Sequence, residues 1–183
     1  MTSITKMLAT VLFGVAIAGT PILAQTVTID YDHSVNFLKF KSYTWDRVHA
    51  TDPSVEGRIT IAVDRDMSGR YMSEAAKNGD VTIAVVEATQ DKQEYADFYA
   101  KLTNPTWQRG WGSGGFLDTA ATLQDVPLDT LIMDIYNTKT HNLIWRGVVT
   151  EPMVKSEDKN DQKMDKAVNL LFEKFPPKFV KSK

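Results

Sequence analysis

The sequence predicts an α+β domain, with one antiparallel β-sheet and two main helices packed on one face. Three observations predict it. Short runs of alternating apolar and polar residues mark strands, and two longer stretches carry apolar residues at helical spacing. The order is two strands, a helix, several strands and a helix, with no internal repeat and no dividing linker. Such an order favours one sheet covered by helices on one side.

The elements follow in turn. Val27-Thr28-Ile29-Asp30-Tyr31-Asp32 puts Val27, Ile29 and Tyr31 on one face, as a half-buried strand does. Ser42-Tyr43-Thr44-Trp45 is a second strand, with Tyr43 and Trp45 sharing the buried side. Asp52-Pro53-Ser54 is a helix start. Ile59, Val63 and Met67, joined by Ala62 and Tyr71, extend one amphipathic helix from about Ser54 to Ala76. Asn78-Gly79-Asp80 reads as a turn, and Val81 to Val86 as a strand buried on both faces. Gln90 to Leu102 fits helix through Tyr95, Phe98, Tyr99 and Leu102, and fits strand by its aromatic content. The glycine-aromatic stretch Trp107 to Phe116 comes next, then a short strand candidate at Ala120 to Leu123. Asp129 to Tyr136 and Leu143 to Val149 form a hairpin across Asn137-Thr138-Lys139-Thr140-His141-Asn142. The last helix runs from about Asp158 to Phe175, with Met164, Ala167, Val168, Leu171 and Phe172 as its apolar stripe. Pro176-Pro177 stop it.

Composition excludes several function classes. The chain has 183 residues, 43% hydrophobic and 24% charged, enough for one domain with a sizeable core. Its formal charge of -2 gives no basic excess for nucleic acid. The absence of cysteine rules out disulfides, thiolate metal sites and a Cys nucleophile.

Residues 1–24 form a separate unit. Lys6 precedes an apolar run from Met7 to Ala18, Gly19-Thr20-Pro21 breaks it, and Ile22-Leu23-Ala24 precedes Gln25. This is the pattern of a secretory signal, cleaved after Ala24 to leave a single domain over 25–183. The run is shorter than the ~20 residues of a membrane span, so no transmembrane segment is expected after cleavage. With no Cys to carry a lipid, the expected location is periplasmic or secreted.

Taken together, "VTIDYDHSVNFLKFKSYTW", "RITIAVDRDM", "GDVTIAV", "GWGSGGF", "TLIMDIYNTKTHNLIWRG" and "KMDKAVNLLFEKFPP" resemble, in that order, a bacterial envelope family known only as domain of unknown function 4136. Asp129 and Tyr71 stand where such proteins usually carry Gly. The resemblance implies the fold and the envelope location. It implies no activity, because none is established for the family.

Candidate chemistry is sparse. Asp30, Asp32 and His33 could bind a metal, but same-face strand residues rarely enclose an ion, and neither His49 nor His141 adds a recognised ligand spacing. Gly112-Ser113-Gly114 lacks the strand-to-helix setting of a nucleophile elbow. The glycines 110, 112, 114 and 115 lack the strand and helix of a phosphate cradle. Asp64 and Asp66 point to different helix faces and read as solvated charges. No catalytic residue, metal or cofactor is expected. In Leu143-Ile144-Trp145-Arg146, alternation groups Leu143 with Trp145 and Ile144 with Arg146. Arg146 could clamp an anion or pair across the hairpin with an acid such as Asp134. Trp107, Trp111 and Phe116, with Tyr95, Phe98 and Tyr99, gather aromatics around a glycine loop. They read as a satellite core or as a contact surface.

The favoured reading is a non-enzymatic binding or interaction module with Trp107, Trp111, Phe116 and Arg146 at its surface. Its expected partner is an envelope protein, glycan or lipid. The alternative is a small-ligand binder or enzyme using the sheet face near Arg146.

Overall fold

The computed structural model describes residues 26–88, 93–103, 130–150 and 157–175. Strand β1 (Thr26–Tyr31) is followed by a 3-10 turn (Phe37–Lys39) and β2 (Ser42–His49). Helix α1 (Pro53–Gly69), the two-residue β3 (Ser73–Glu74) and β4 (Val81–Ala88) come next. Helix α2 (Gln93–Ala100), β5 (Thr130–Asn137), β6 (Leu143–Thr150) and helix α3 (Glu157–Glu173) complete the described chain. The strands form one sheet in the order β1-β6-β5-β4-β2-β3.

The domain is α+β, and its sheet is mixed rather than antiparallel throughout. β1/β6, β6/β5 and β5/β4 are antiparallel, whereas β4 and β3 run parallel to β2. The cause is α1. A hairpin reverses the chain, but a helix crossing over the sheet returns the next strand in the original direction. Asp52 starts that crossover by accepting the Ser54 backbone N–H at 2.8 Å, with Pro53 in the first turn.

Helices α1 and α3 pack on one face as expected. Ile59, Ala62, Val63 and Met67 of α1 join Met164, Ala167, Val168, Leu171 and Phe172 of α3 over Val81, Ile83, Val85, Met133 and Ile135. The opposite face is covered by α2, whose Tyr95, Phe98 and Tyr99 pack with Leu102 on Ala84, Val86, Ile132, Tyr136 and Leu143. The helical period therefore wins in the ambiguous stretch, because those four aromatic and aliphatic positions fall on one helical stripe.

Boundaries shift where backbone geometry overrides pattern. α1 stops at Gly69 rather than Ala76, because Tyr71 turns into the left-handed region at φ 61. The Met72 N–H then bonds the Met67 carbonyl at 3.1 Å, closing the helix end. Spacing puts Tyr71 on the apolar stripe, yet it is 88% exposed. β2 runs four residues further than its alternation indicated, across a bulge between Trp45 and Arg47. Trp45 is half-buried and not in the core; its indole N–H donates to Asp64 Oδ1 at 3.0 Å.

The outer edge of β1 is guarded by its own neighbours. Lys174 Nζ donates to the Val27 carbonyl at 3.3 Å, and Asp30 Oδ1 accepts the Tyr31 N–H at 2.8 Å. Both contacts occupy edge groups that another strand would need.

Candidate functional site

Arg146 sits in the sheet opposite Asp134 on β5, with Asp30 opposite on β1. It is 3% exposed and makes a bidentate pair with Asp134, Nε to Oδ1 at 2.6 Å and Nη2 to Oδ2 at 2.5 Å. The hydroxyls of Tyr99 and Tyr136 donate to the same Oδ2 at 2.9 and 3.1 Å. Arg146 Nη2 also donates to the Tyr99 hydroxyl at 3.3 Å, and its guanidinium lies 5.6 Å from the centre of the Tyr99 ring. The buried polar atoms that lack a partner among the described residues include none from this quartet.

Electrostatics follow burial and pairing. Burial lifts the Tyr99 hydroxyl pKa well above the ordinary value, and Asp134 adds to that against the opposing pull of Arg146. Tyr136 is raised chiefly by burial, then by Asp134. Burial alone would lower the Arg146 pKa, but the Asp134 carboxylate outweighs it and raises the value. The quartet is thus one charged pair with two neutral hydroxyl donors. It pins α2 to the sheet, and Arg146 has no free fork for a ligand. Arg146 accordingly leaves the surface to which the sequence assigned it.

The grouping of side chains around it also differs from simple alternation. The β5/β6 register shifts between Ile135 and Tyr136, so Tyr136 faces Leu143 and Ile135 faces Trp145. The extra residue, Ile144, changes the parity. Leu143 faces α2 with Arg146, while Ile144 and Trp145 lie in the core under α1 and α3. Trp145 is fully buried there, 5.1 Å from the Phe175 ring at 81°.

Gly147 makes room for that indole. A Cβ at Gly147 would lie 2.4 Å from Trp145 Cη2 and 2.6 Å from Leu171 Cδ2. Gly147→Ala is therefore expected to cost about 1–3 kcal/mol, the range for overpacking a filled core. Urea unfolding of the variant checks it; a change within about 0.5 kcal/mol, the scale of neutral surface changes, would mean the indole and Leu171 move aside freely.

Asp64, read from sequence as a solvated charge, holds β2 to α1 instead. Its Oδ1 accepts from the Tyr43 hydroxyl at 2.8 Å as well as from Trp45. Burial, then the bond to Asp64, raises the Tyr43 pKa, so the phenol stays a donor. Asp66 pairs with Arg70 one turn on, at 3.5 Å. Asp32 accepts from the Ser34 N–H and hydroxyl at 2.8 and 2.6 Å, and His33 packs 4.3 Å from the Tyr31 ring. Among the described residues, no group of three or more His, Asp or Glu side chains is placed to hold a metal ion. Trp107, Trp111 and Phe116, and the strand candidate 120–123, lie outside the described residues.

An open concavity among the described residues lies elsewhere, where three chain segments end. Phe37 and Phe40 of the 3-10 turn form one wall, Gly69 to Met72 after α1 a second, and Phe172, Glu173 and Phe175 at the end of α3 the third. The turn forms because the Asn36 side chain accepts the Leu38 N–H at 3.1 Å. Edge-to-face contacts knit the aromatics: Phe37 lies 6.1 Å from Phe40 and 5.7 Å from Phe175, and Phe175 lies 5.6 Å from Phe172. Arg70 ties two walls together. Its guanidinium donates to the Asp66 carbonyl at 3.1 Å and to the Phe172 carbonyl, and stands 4.9 Å over the Phe172 ring.

The resulting groove has a volume of about 770 Å³. Leu38, 50% exposed, and Tyr71 form its apolar rim. Holding an aromatic residue at positive φ is costly, and glycine would do so without strain. Sequence gave Phe37, Leu38 and Phe40 no role, since the groove joins residues more than 100 positions apart and carries no motif. The one available signal is Tyr71, a bulky residue where the family resemblance implies Gly.

A family model described as Domain of unknown function (DUF4136) matches residues 27–177. Among solved structures, a DUF4136 family protein from Bacteroides thetaiotaomicron is similar, with 16% identity and a TM-score of 0.62, covering 81% of this chain and 94% of that one. A PDZ domain protein from Parabacteroides distasonis aligns over 85% of this chain and 37% of its own, at 12% identity and a TM-score of 0.52. PelC from Paraburkholderia phytofirmans, solved as a dodecamer, aligns at 9% identity and a TM-score of 0.47, covering 81% of this chain and 95% of that one. No curated protein matches. At these identities the similarities show the fold alone.

Proposed function

We propose that this chain, which belongs to the DUF4136 family, is an exported, non-enzymatic binding module of the cell envelope. One observation carries the reading: an apolar groove of small-molecule size whose rim exposes Leu38 and a backbone-strained Tyr71. Strain at an exposed aromatic is an expense in stability, which contact with a partner would explain. The Arg146–Asp134 pair supports the same reading, because the two are consumed by each other and by two tyrosines. The export half rests on residues 1–24, with maturation at Gln25. Trp107, Trp111 and Phe116 are proposed as a second contact surface for an envelope protein, glycan or lipid.

Two measurements test it. Fractionation with N-terminal sequencing is expected to find mature protein starting at Gln25 outside the cytoplasm; an intact Met1 in the membrane pellet would contradict export. For binding, native mass spectrometry of protein purified from its own envelope is expected to show a bound species. Leu38→Ser/Tyr71→Gly should remove that species while leaving stability within about 1 kcal/mol of the parent, as for surface sites. A parent protein free of any adduct, or an adduct that survives in the double variant, would contradict the groove as the binding surface.

A further inference from the structure

We infer that the groove takes a single-chain zwitterionic amphiphile: a lysophospholipid whose phosphate meets Lys41 and whose ammonium meets Glu173. This rests on the binding-module reading and adds the chemical class of the ligand. The walls dictate the tail. Phe37, Phe40, Phe172 and Phe175 with Met72 present an apolar trough, and apolar surface is what a hydrocarbon chain buries favourably. The volume of about 770 Å³ lies within the roughly 300–1,000 Å³ of small-molecule sites, and it suits one acyl chain rather than two.

Charge on the walls dictates the head. Three lining side chains carry a charge at neutral pH: Lys41, Arg70 and Glu173. Arg70 is already engaged by Asp66 and by the Phe172 carbonyl, so it serves the fold. That leaves one exposed cation and one exposed anion, and among the described residues neither Lys41 nor Glu173 has an ion-pair partner. The carboxyl end of α3 lies beside Glu173, and its carbonyl dipoles reinforce the negative side. A purely anionic head would meet repulsion from Glu173 and that helix end. A purely cationic head would meet Lys41. A dipolar head satisfies both.

Gly69 supplies a clean probe. It lines the groove, and a Cβ built on it meets nothing within 4 Å, so an added side chain there starts into open space. The experiment is calorimetric titration of the protein with palmitoyl lysophosphatidylethanolamine below its micelle-forming concentration. Palmitate, a neutral glycoside detergent of equal chain length and vesicles of diacyl phosphatidylethanolamine are the comparisons. The expected result is saturable one-to-one binding of the lysophospholipid, weakened about tenfold or more by Lys41→Glu and by Gly69→Leu with melting temperatures unchanged. Palmitate and the neutral detergent should bind about tenfold more weakly. No saturable binding, equal binding of palmitate or the neutral detergent, insensitivity to Gly69→Leu, or binding to vesicles alone would each overturn the inference. An envelope-derived adduct lost in Leu38→Ser/Tyr71→Gly, with no lysophospholipid binding, would overturn the ligand class while the binding-module reading stands.

Discussion

Asp134→Ala is expected to destabilise the protein by about 3–5 kcal/mol, the scale for breaking one side of a buried ion pair. Asp134 is 1% exposed and accepts from Arg146 Nε and Nη2 and from the hydroxyls of Tyr99 and Tyr136. Its loss leaves a buried guanidinium without its paired carboxylate and two buried phenols without their carboxylate acceptor. The pair itself is another matter. Taking both charges out of water costs nearly what their attraction returns, so an apolar pair of similar volume is often neutral or stabilising. Asp134→Leu/Arg146→Met should therefore recover most of the loss. Urea melts of the single and double variants measure both effects, with the difference as the coupling. A single-variant loss below about 1 kcal/mol would show that water reaches Arg146 and solvates it. Tyr99 links the quartet to α2, so hydrogen exchange at Tyr95–Tyr99 should also quicken in Asp134→Ala. Tyr95 keeps a second anchor, its hydroxyl donating to the Thr130 carbonyl at 2.8 Å.

Trp145→Ala is expected to cost a similar ~3–5 kcal/mol, for a different reason. The indole is fully buried where β6, α3 and β1 meet, against the Phe175 ring. Removing it leaves a void between a sheet and a helix that are each held by other contacts. Such a site collapses poorly, and the cost of deletion rises with the volume that stays empty. Equilibrium denaturation checks it. A loss under about 1 kcal/mol would mean that Phe175 and Leu171 fall into the space.

Periodicity carried the elements with strong patterns. The stripe of α3, the β5–β6 hairpin and the burial of β4 on both faces were legible, because side-chain direction follows directly from helical or strand geometry. Three kinds of feature were not. Strand direction between β2 and β4 depends on where the chain travels between them, and either direction satisfies the same alternation. One inserted residue, Ile144, reverses the parity of the strand beyond it, so Trp145 and Leu143 fall on opposite faces against simple alternation, while the Arg146–Asp134 pairing follows from the hairpin itself. Tyr71 broke the helix by its backbone, which no hydrophobic pattern reports.

Site chemistry was less legible than fold, because it is assembled over long separations. Tyr99 lies on a helix 35 residues from Asp134, and Arg70 reaches the Phe172 carbonyl across 102. Asp64 looked solvated because the two donors that meet it come from another element, at Tyr43 and Trp45. The groove is formed by a turn and two helix ends, and its residues share no spacing that a sequence pattern could reveal.

Amide chemical-shift mapping of the isotopically labelled protein, titrated with the lipid fraction of its own envelope, tests most directly whether the groove is the working surface. Perturbations are predicted to concentrate at residues 37–41, 69–73 and 172–175, with Leu38 and Tyr71 among the largest. Shifts centred on Asp134 and Arg146, or no saturable shift anywhere, would contradict it.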